Sequence, residues 1–250
     1  MLSSLQRYIA KELTHFVGRQ LDSSEARYSL LRQILRSGYL THPPHNPKIA
    51  GNLTVNTQAR ISQNEMYAPQ VVCLCDIPVQ DLAIHIEKYS PFGLSFSKDF
   101  IARNGGAPVF YVPCEAVVQS ADSLPPKLAE SQHQVLLDSG SRASYFDRMI
   151  QEYHKVFRQL MRMRKMASVP DGLREFQRFL NFCIFSYLKF FDHRLPDDDP
   201  GNFYFEREWR IVGNLKFSMD DVRRVILLEE YAKRFRQEFP DYYGQLTFAE

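Results

Sequence analysis

The chain of 250 residues lacks most of the features that would place it at once. No run of about 18 apolar residues occurs, so no segment reads as a membrane-spanning helix. The opening Met1 to Tyr8 has no apolar stretch suited to a secretion signal. Together these absences set the expectation of a soluble, cytoplasmic protein with no membrane partner. Charge of one sign is also missing. Lys and Arg number 31 against 29 Asp and Glu, a net charge of +2. No whole-molecule field therefore draws the chain to nucleic acid or to an anionic surface. Cysteine is scarce at four residues. Cys73 and Cys75 are one residue apart rather than two, and neither Cys114 nor Cys183 sits in a Cys/His cluster at ligand spacing, so no metal site is expected. Small buried thiols are the simpler reading. No glycine-rich phosphate turn follows the first strand pattern, which disfavours a doubly wound parallel sheet. There is no internal repeat and no low-complexity tract.

What is present is an aromatic-rich chain, with 19 Phe and 13 Tyr, and 44% hydrophobic residues. That is enough to bury a sizeable core. Ser23-Ser24-Glu25 is an N-cap signal, followed by Tyr28, Leu31, Ile34 and Leu35 at helical spacing and by Ser37-Gly38 as a C-cap. Val71 to Ile77 reads as a buried strand and Val79 to Tyr89 as a helix. Gly93 to Ser97 alternates Leu94 and Phe96 against Ser95 and Ser97, and Pro108 to Pro113 is a strand framed by prolines. Tyr145 to Met163 predicts one long helix and Leu173 to Leu188 a second, joined by a turn at 168–172. Shorter patterns follow, with a strand over Val225 to Leu228, a helix over Tyr231 to Phe239 and a last strand at Leu246 to Phe248. The expected organisation is one α+β domain spanning 1–250, with residues 141–194 as an inserted helical hairpin.

The stretch from Phe203 to Val212 predicts a strand with Phe203, Phe205, Trp209 and Ile211 inward and Tyr204, Glu206, Glu208 and Arg210 on the other side. Two carboxylates on one strand edge need a partner or a purpose. They are either a solvated face closed by a Glu–Arg ion pair, or a site. The basic segment Arg158 to Lys165 is likewise either a solvated helix face or a contact for nucleic-acid phosphates or an acidic partner. His85 reads as structural.

The ordered blocks His15-Phe16-Val17-Gly18, Cys73-Leu74-Cys75-Asp76-Ile77-Pro78, His85, Tyr89 to Lys98, Pro108 to Val112 and Glu206 to Arg210 resemble the AbiGi family. These are bacterial abortive-infection proteins of phage resistance, mainly regarded as antitoxins of a two-gene system. The resemblance implies phage defence and a cognate toxin or antitoxin protein as partner. A more distant one concerns chemistry. An early strand His, a helix ending in Ser-Gly, a Ser-x-Ser strand and a late Glu-x-Glu strand are similar to the ADP-ribosyltransferases, including DarT-like toxins.

That second resemblance implies a split mixed β-sheet holding NAD in a cleft, and transfer of ADP-ribose to a nucleic acid or a protein. It assigns cofactor binding to His15, Tyr89, Phe92, Ser95, Ser97 and Arg210. Glu208 and Glu206 become catalytic, one gripping the ribose and steadying positive charge as nicotinamide leaves, the other acting on the incoming nucleophile. The motif set is mixed, because the His belongs to one branch of that superfamily and the Ser-x-Ser and Glu-x-Glu pair to another. Arg210 either binds a pyrophosphate or neutralises the carboxylates. The alternative function is a non-catalytic antitoxin that neutralises its toxin by binding.

Overall fold

The structure is a computed structural model that describes residues 10–49, 51–114, 142–163, 171–196, 199 and 201–249. The opening Met1 to Tyr8, the turn at 168–170 and Lys165 lie outside them. The chain falls into two compact units. The first comprises Met1–Asn52, Pro69–Val109 and Phe205–Glu250, and the second Leu53–Ala68 and Phe110–Tyr204. The fold is α+β.

In the first unit, strands β1 (Glu12–Phe16), β5 (Val71–Cys75), β6 (Gly93–Ser97), β7 (Ala107–Pro108), β10 (Glu208–Val212), β12 (Val222–Leu227) and β13 (Gln245–Phe248) form one sheet in the order β13-β12-β6-β1-β5-β10-β7. Its pairs are antiparallel except β12 with β13, so the sheet is mixed. Strands β2 (Tyr39–Leu40) and β11 (Leu215–Lys216) make a separate small pair.

The helices of this unit are α1 (Ser24–Ser37), α2 (Ala83–Lys88), α3 (Lys98–Arg103) and α6 (Ala232–Glu238). The two-residue alternation places Leu13, Leu74, Leu94, Phe96, Val225 and Ile211 on one face of the sheet. There they pack with Tyr28, Leu31, Ile34 and Leu35 of α1 and Phe235 of α6. The opposite face is covered in part by Leu82, which joins Cys75 and Ile226 in a smaller cluster with Phe16 and Ile86.

Helix α1 follows its sequence signals. The Ser23 side chain accepts from the Ala26 N–H at 3.2 Å, and Gly38 closes the helix at φ 67°. A Cβ at Gly38 would stand 2.8 Å from the Phe217 carbonyl oxygen. Gly38→Ala is therefore expected to lose more than about 1 kcal/mol, because both the left-handed backbone and the close approach exclude a side chain. A urea titration against the wild type checks this, and an unchanged midpoint would contradict it.

The second unit contains β3 (Leu53–Val55) beside β4 (Tyr67–Pro69), the parallel pair β8 (Phe110–Pro113) and β9 (Leu188–Phe191), and helices α4 (Arg142–Met163) and α5 (Asp171–Phe179). Its core gathers Ile61, Met66, Tyr67, Val112, Phe185 and Phe190, with Phe146, Ile150 and Tyr153 of α4 against them. The Asn64 amide clamps Phe190 from both sides, donating to its carbonyl at 3.0 Å and accepting from its N–H at 2.8 Å.

Several elements differ from the sequence pattern. Pro108 to Pro113, expected as one strand, divides into β7 and β8 in separate sheets. Val79 to Tyr89, expected as one helix, divides into a 3-10 turn, Val79–Asp81, and α2. The second long helix ends at Phe179 and passes through a π turn, Leu180–Ile184, and a 3-10 turn, Phe185–Tyr187. Leu188 to Phe191 is then a strand, because pairing with β8 satisfies its backbone and buries Leu188 and Phe190. The predicted strand Phe203 to Val212 is a strand only from Glu208. Phe203–Glu206 is a 3-10 turn, and Arg207 takes the left-handed conformation at φ 43°.

Candidate functional site

Register brings several of the expected site residues into one row across the sheet. Ser95 pairs with Thr14, Thr14 with Cys75, and Cys75 with Glu208. All four are buried, and the Thr14 and Ser95 hydroxyls lie 2.9 Å apart. Burial lifts the Cys75 thiol to about 12, so it stays protonated and inert at neutral pH. The two halves of the sheet are zipped unevenly. Strand β1 pairs with β6 over five residues and β10 with β5 over five, whereas β1 and β5 share the single registered pair Thr14–Cys75. At this seam the His15 imidazole Nδ1 lies 2.8 Å from the Cys73 carbonyl oxygen, and burial lowers the His15 pKa. A neutral ring donating to that carbonyl is the arrangement this favours.

Glu208 and Arg210 stand two apart on β10 and close on each other. The Arg210 Nε donates to Glu208 Oε1 at 2.7 Å, and one terminal nitrogen reaches the other oxygen at 3.3 Å. Both side chains are largely buried. Arg210 thus neutralises the carboxylate, one of the two roles that its place in the sequence allows.

Glu206 does not share that arrangement, because the left-handed Arg207 breaks the alternation between them. Its Oε1 accepts from the Lys88 ammonium at 2.8 Å and from the Tyr89 hydroxyl. The Lys88 and Glu206 side chains are only 9% and 8% exposed, so the pair is held away from water. Burial, reinforced by the negative charge of Glu206, pushes the Tyr89 hydroxyl well above its ordinary pKa and keeps it a donor. The Arg19 guanidinium sits 4.8 Å from the Tyr89 ring centre, and Lys88 is 4.9 Å from that of Phe205.

His85 completes this cluster. Its ring lies against Phe16, Tyr89 and Phe205, and among the described residues neither ring nitrogen has a hydrogen-bond partner. Burial depresses its pKa to about 4, with Lys88 adding to the fall and Glu206 opposing it. Since the folded value lies below the unfolded one of 6.5, the unfolded chain takes up the proton first. The stability contributed by a neutral His85 is present above pH 6.5 and is lost as pH falls toward 4. A His85→Phe variant should therefore unfold with a shallower pH dependence than the wild type between those values. Parallel slopes from urea titrations across the window would contradict this.

Asp76, immediately after β5, ties the late segment to the early one. Its Oδ2 lies 2.7 Å from the Lys98 ammonium and 3.6 Å from the Arg207 guanidinium, and its N–H donates to the Arg207 carbonyl at 3.1 Å. These contacts hold Arg207 in its unusual conformation, and strand pairing begins at the next residue.

The remaining residues have other surroundings. Phe92 is fully buried against Tyr28 and Tyr231. Ser97 caps α3, accepting from the Phe100 N–H at 3.2 Å. It also lines a surface cleft of about 420 Å³ with Asp99, Arg103, Asn104 and Arg223. Thr14, Asp76, Lys88 and His85 carry the arrangement but were not among the expected site residues. Among the described residues, no group of three or more His, Cys, Asp or Glu side chains could hold a metal ion. No helix there is long and apolar enough to cross a membrane.

A mixed sheet with two buried, ion-paired carboxylates defines an α+β protein whose late Glu-x-Glu segment is built into the fold's interior. Residues 49–243 match the family described as "Putative abortive phage resistance protein AbiGi, antitoxin", and the chain belongs to that abortive-infection, phage-defence family. No curated protein and no solved structure matches it.

Proposed function

We propose that the chain is the antitoxin of a phage-defence pair and neutralises its cognate toxin by direct binding, without chemistry of its own. The observation that supports this most is the state of the two carboxylates. Glu206 is engaged by Lys88 and Tyr89, Glu208 is engaged by Arg210, and both are about 5% exposed (6% and 5%). A carboxylate that stabilises developing charge must face the reacting group. These two face their own fold. The family description supports the same reading.

A second reading, an NAD cleft that transfers ADP-ribose to a nucleic acid or protein, is favoured by the single registered pair between β1 and β5 with His15 beside it. In that reading His15, Tyr89, Ser95, Ser97 and Arg210 line the dinucleotide, Phe92 backs it, and Glu208 and Glu206 act on the ribose and the nucleophile. The residues as arranged do not fit NAD. Phe92 and Ser95 are fully buried, and Leu82 and Ile86 pack over Cys75 in the same row.

Titration of NAD into the purified protein separates the two readings. Binding by contact alone predicts no heat and no release of nicotinamide in the presence of cell extract. Saturable binding that is lost in His15→Ala with the fold intact would favour the cleft.

A further inference from the structure

We infer that two copies of the chain associate through the outer edges of their β13 strands, which pair antiparallel about a two-fold axis. This self-association goes beyond the antitoxin reading and does not depend on it. The two edges of the seven-stranded sheet differ. Strand β7 closes one edge with two residues, Ala107–Pro108, and its proline has no N–H to offer. Short length and proline are the usual protection of an edge against other chains. Strand β13 closes the other edge with Gln245, Leu246, Thr247 and Phe248, without a proline or a charge. Its four residues run in unbroken register with β12, and among the described residues no other strand pairs with it.

The ladder fixes which peptide groups face outward. In a parallel pair every second residue turns both its N–H and its C=O toward the same neighbour. The Ala249 N–H donates to the Leu227 carbonyl at 3.0 Å, so Gln245 and Thr247 also face β12, and Leu246 and Phe248 point away from it. Two such edges bond when Leu246 of one copy faces Phe248 of the other, each pair exchanging two hydrogen bonds. Thr247 then faces Thr247 on the axis, and the Leu246–Phe248 pair occurs twice. Leu246 packs on the core side of the sheet. Phe248 shares that side and is 44% exposed, so the leucine of the second copy covers its ring. The nearest charge, Arg224 on β12, is engaged by Glu12 and by the Thr247 hydroxyl. A toxin strand would meet the same peptide groups. The second copy is favoured because its own edge supplies the matching apolar pair on one side and a Thr–Thr pair on the other.

Sedimentation of the full chain over a range of concentrations, alone and with the cognate toxin, tests this. The wild type alone is expected to form a dimer. Phe248→Pro removes an outward N–H and the exposed ring but no bond to β12, so it should keep the circular dichroism of the fold. Its dimer is expected to dissociate at a concentration at least about 25-fold higher, because a two-fold contact loses each interaction twice and each is worth roughly fivefold. A second readout does not depend on the folding of that variant. With the exposed Cys73 and Cys183 replaced by Ser, Thr247→Cys should crosslink copy to copy under a mild oxidant, and Gln245→Cys should not, since only position 247 faces itself. A wild type that stays monomeric at every concentration overturns the contact. So does a folded Phe248→Pro variant that dimerises like the wild type, or a dimer that Thr247→Cys does not crosslink. Toxin binding by a monomeric wild type that is lost in Phe248→Pro gives the edge to the toxin instead.

Discussion

Glu206→Ala is expected to cost about 3–5 kcal/mol of stability, the largest single effect at this site. The reason is what it leaves behind. The Lys88 ammonium is 9% exposed and would lose its carboxylate partner, and the Tyr89 hydroxyl would lose its acceptor. A buried charge stripped of its counter-ion is far more costly than a surface ion pair lost to water. For a chain of this length the melting temperature should fall by roughly 10 °C. Replacing both members, as in Lys88→Met/Glu206→Leu, should recover much of the loss, because no unpaired charge then remains buried. A Glu206→Ala variant as stable as the wild type would mean that the pair is not held in the interior.

Phe92→Ala should be nearly as damaging, at about 3–5 kcal/mol, because it opens a cavity between Tyr28 and Tyr231 in the main core. This prediction also weighs the role that the transferase resemblance assigns to the residue. A ring that stacks on a bound dinucleotide from a cleft wall would leave the empty protein's stability almost untouched when removed, and would show itself only in ligand affinity. A ring that fills the core shows itself in a urea titration without any ligand. The fully buried position predicts the second result. Equal midpoints for the variant and the wild type would contradict it.

Much of the fold was legible because its signals are local. Ser23 and Gly38 bound α1 as their side-chain and backbone chemistry dictates, and the alternation over Gly93 to Ser97 is the alternation of β6. The α+β class follows from such segments, and membership of the AbiGi family follows from the ordered motif blocks. What was not legible depends on partners far away in the chain. Nothing in Phe203 to Val212 announces that Arg207 will be left-handed, since its hold comes from Asp76, more than a hundred residues earlier. The same distance hides the partner of Glu206 on α2 and the role of His85 beside it. Leu188 to Phe191 continues an apolar helical spacing but becomes a strand because β8 offers it a backbone partner. The segment from Glu206 to Arg210 held both of its possible meanings at once. The ion pair that the sequence suggested as the plain reading is present at Glu208 and Arg210, and the burial of both carboxylates is the feature that only the three-dimensional arrangement supplies.

The most direct test is growth rescue from the cognate toxin by the wild type and by Glu208→Gln, at matched soluble levels, with cellular NAD measured in the same cultures. Neutralisation by contact predicts that both proteins rescue equally and that NAD is unchanged. Rescue that disappears with Glu208→Gln while the protein stays folded, together with NAD consumption by the wild type alone, would contradict it.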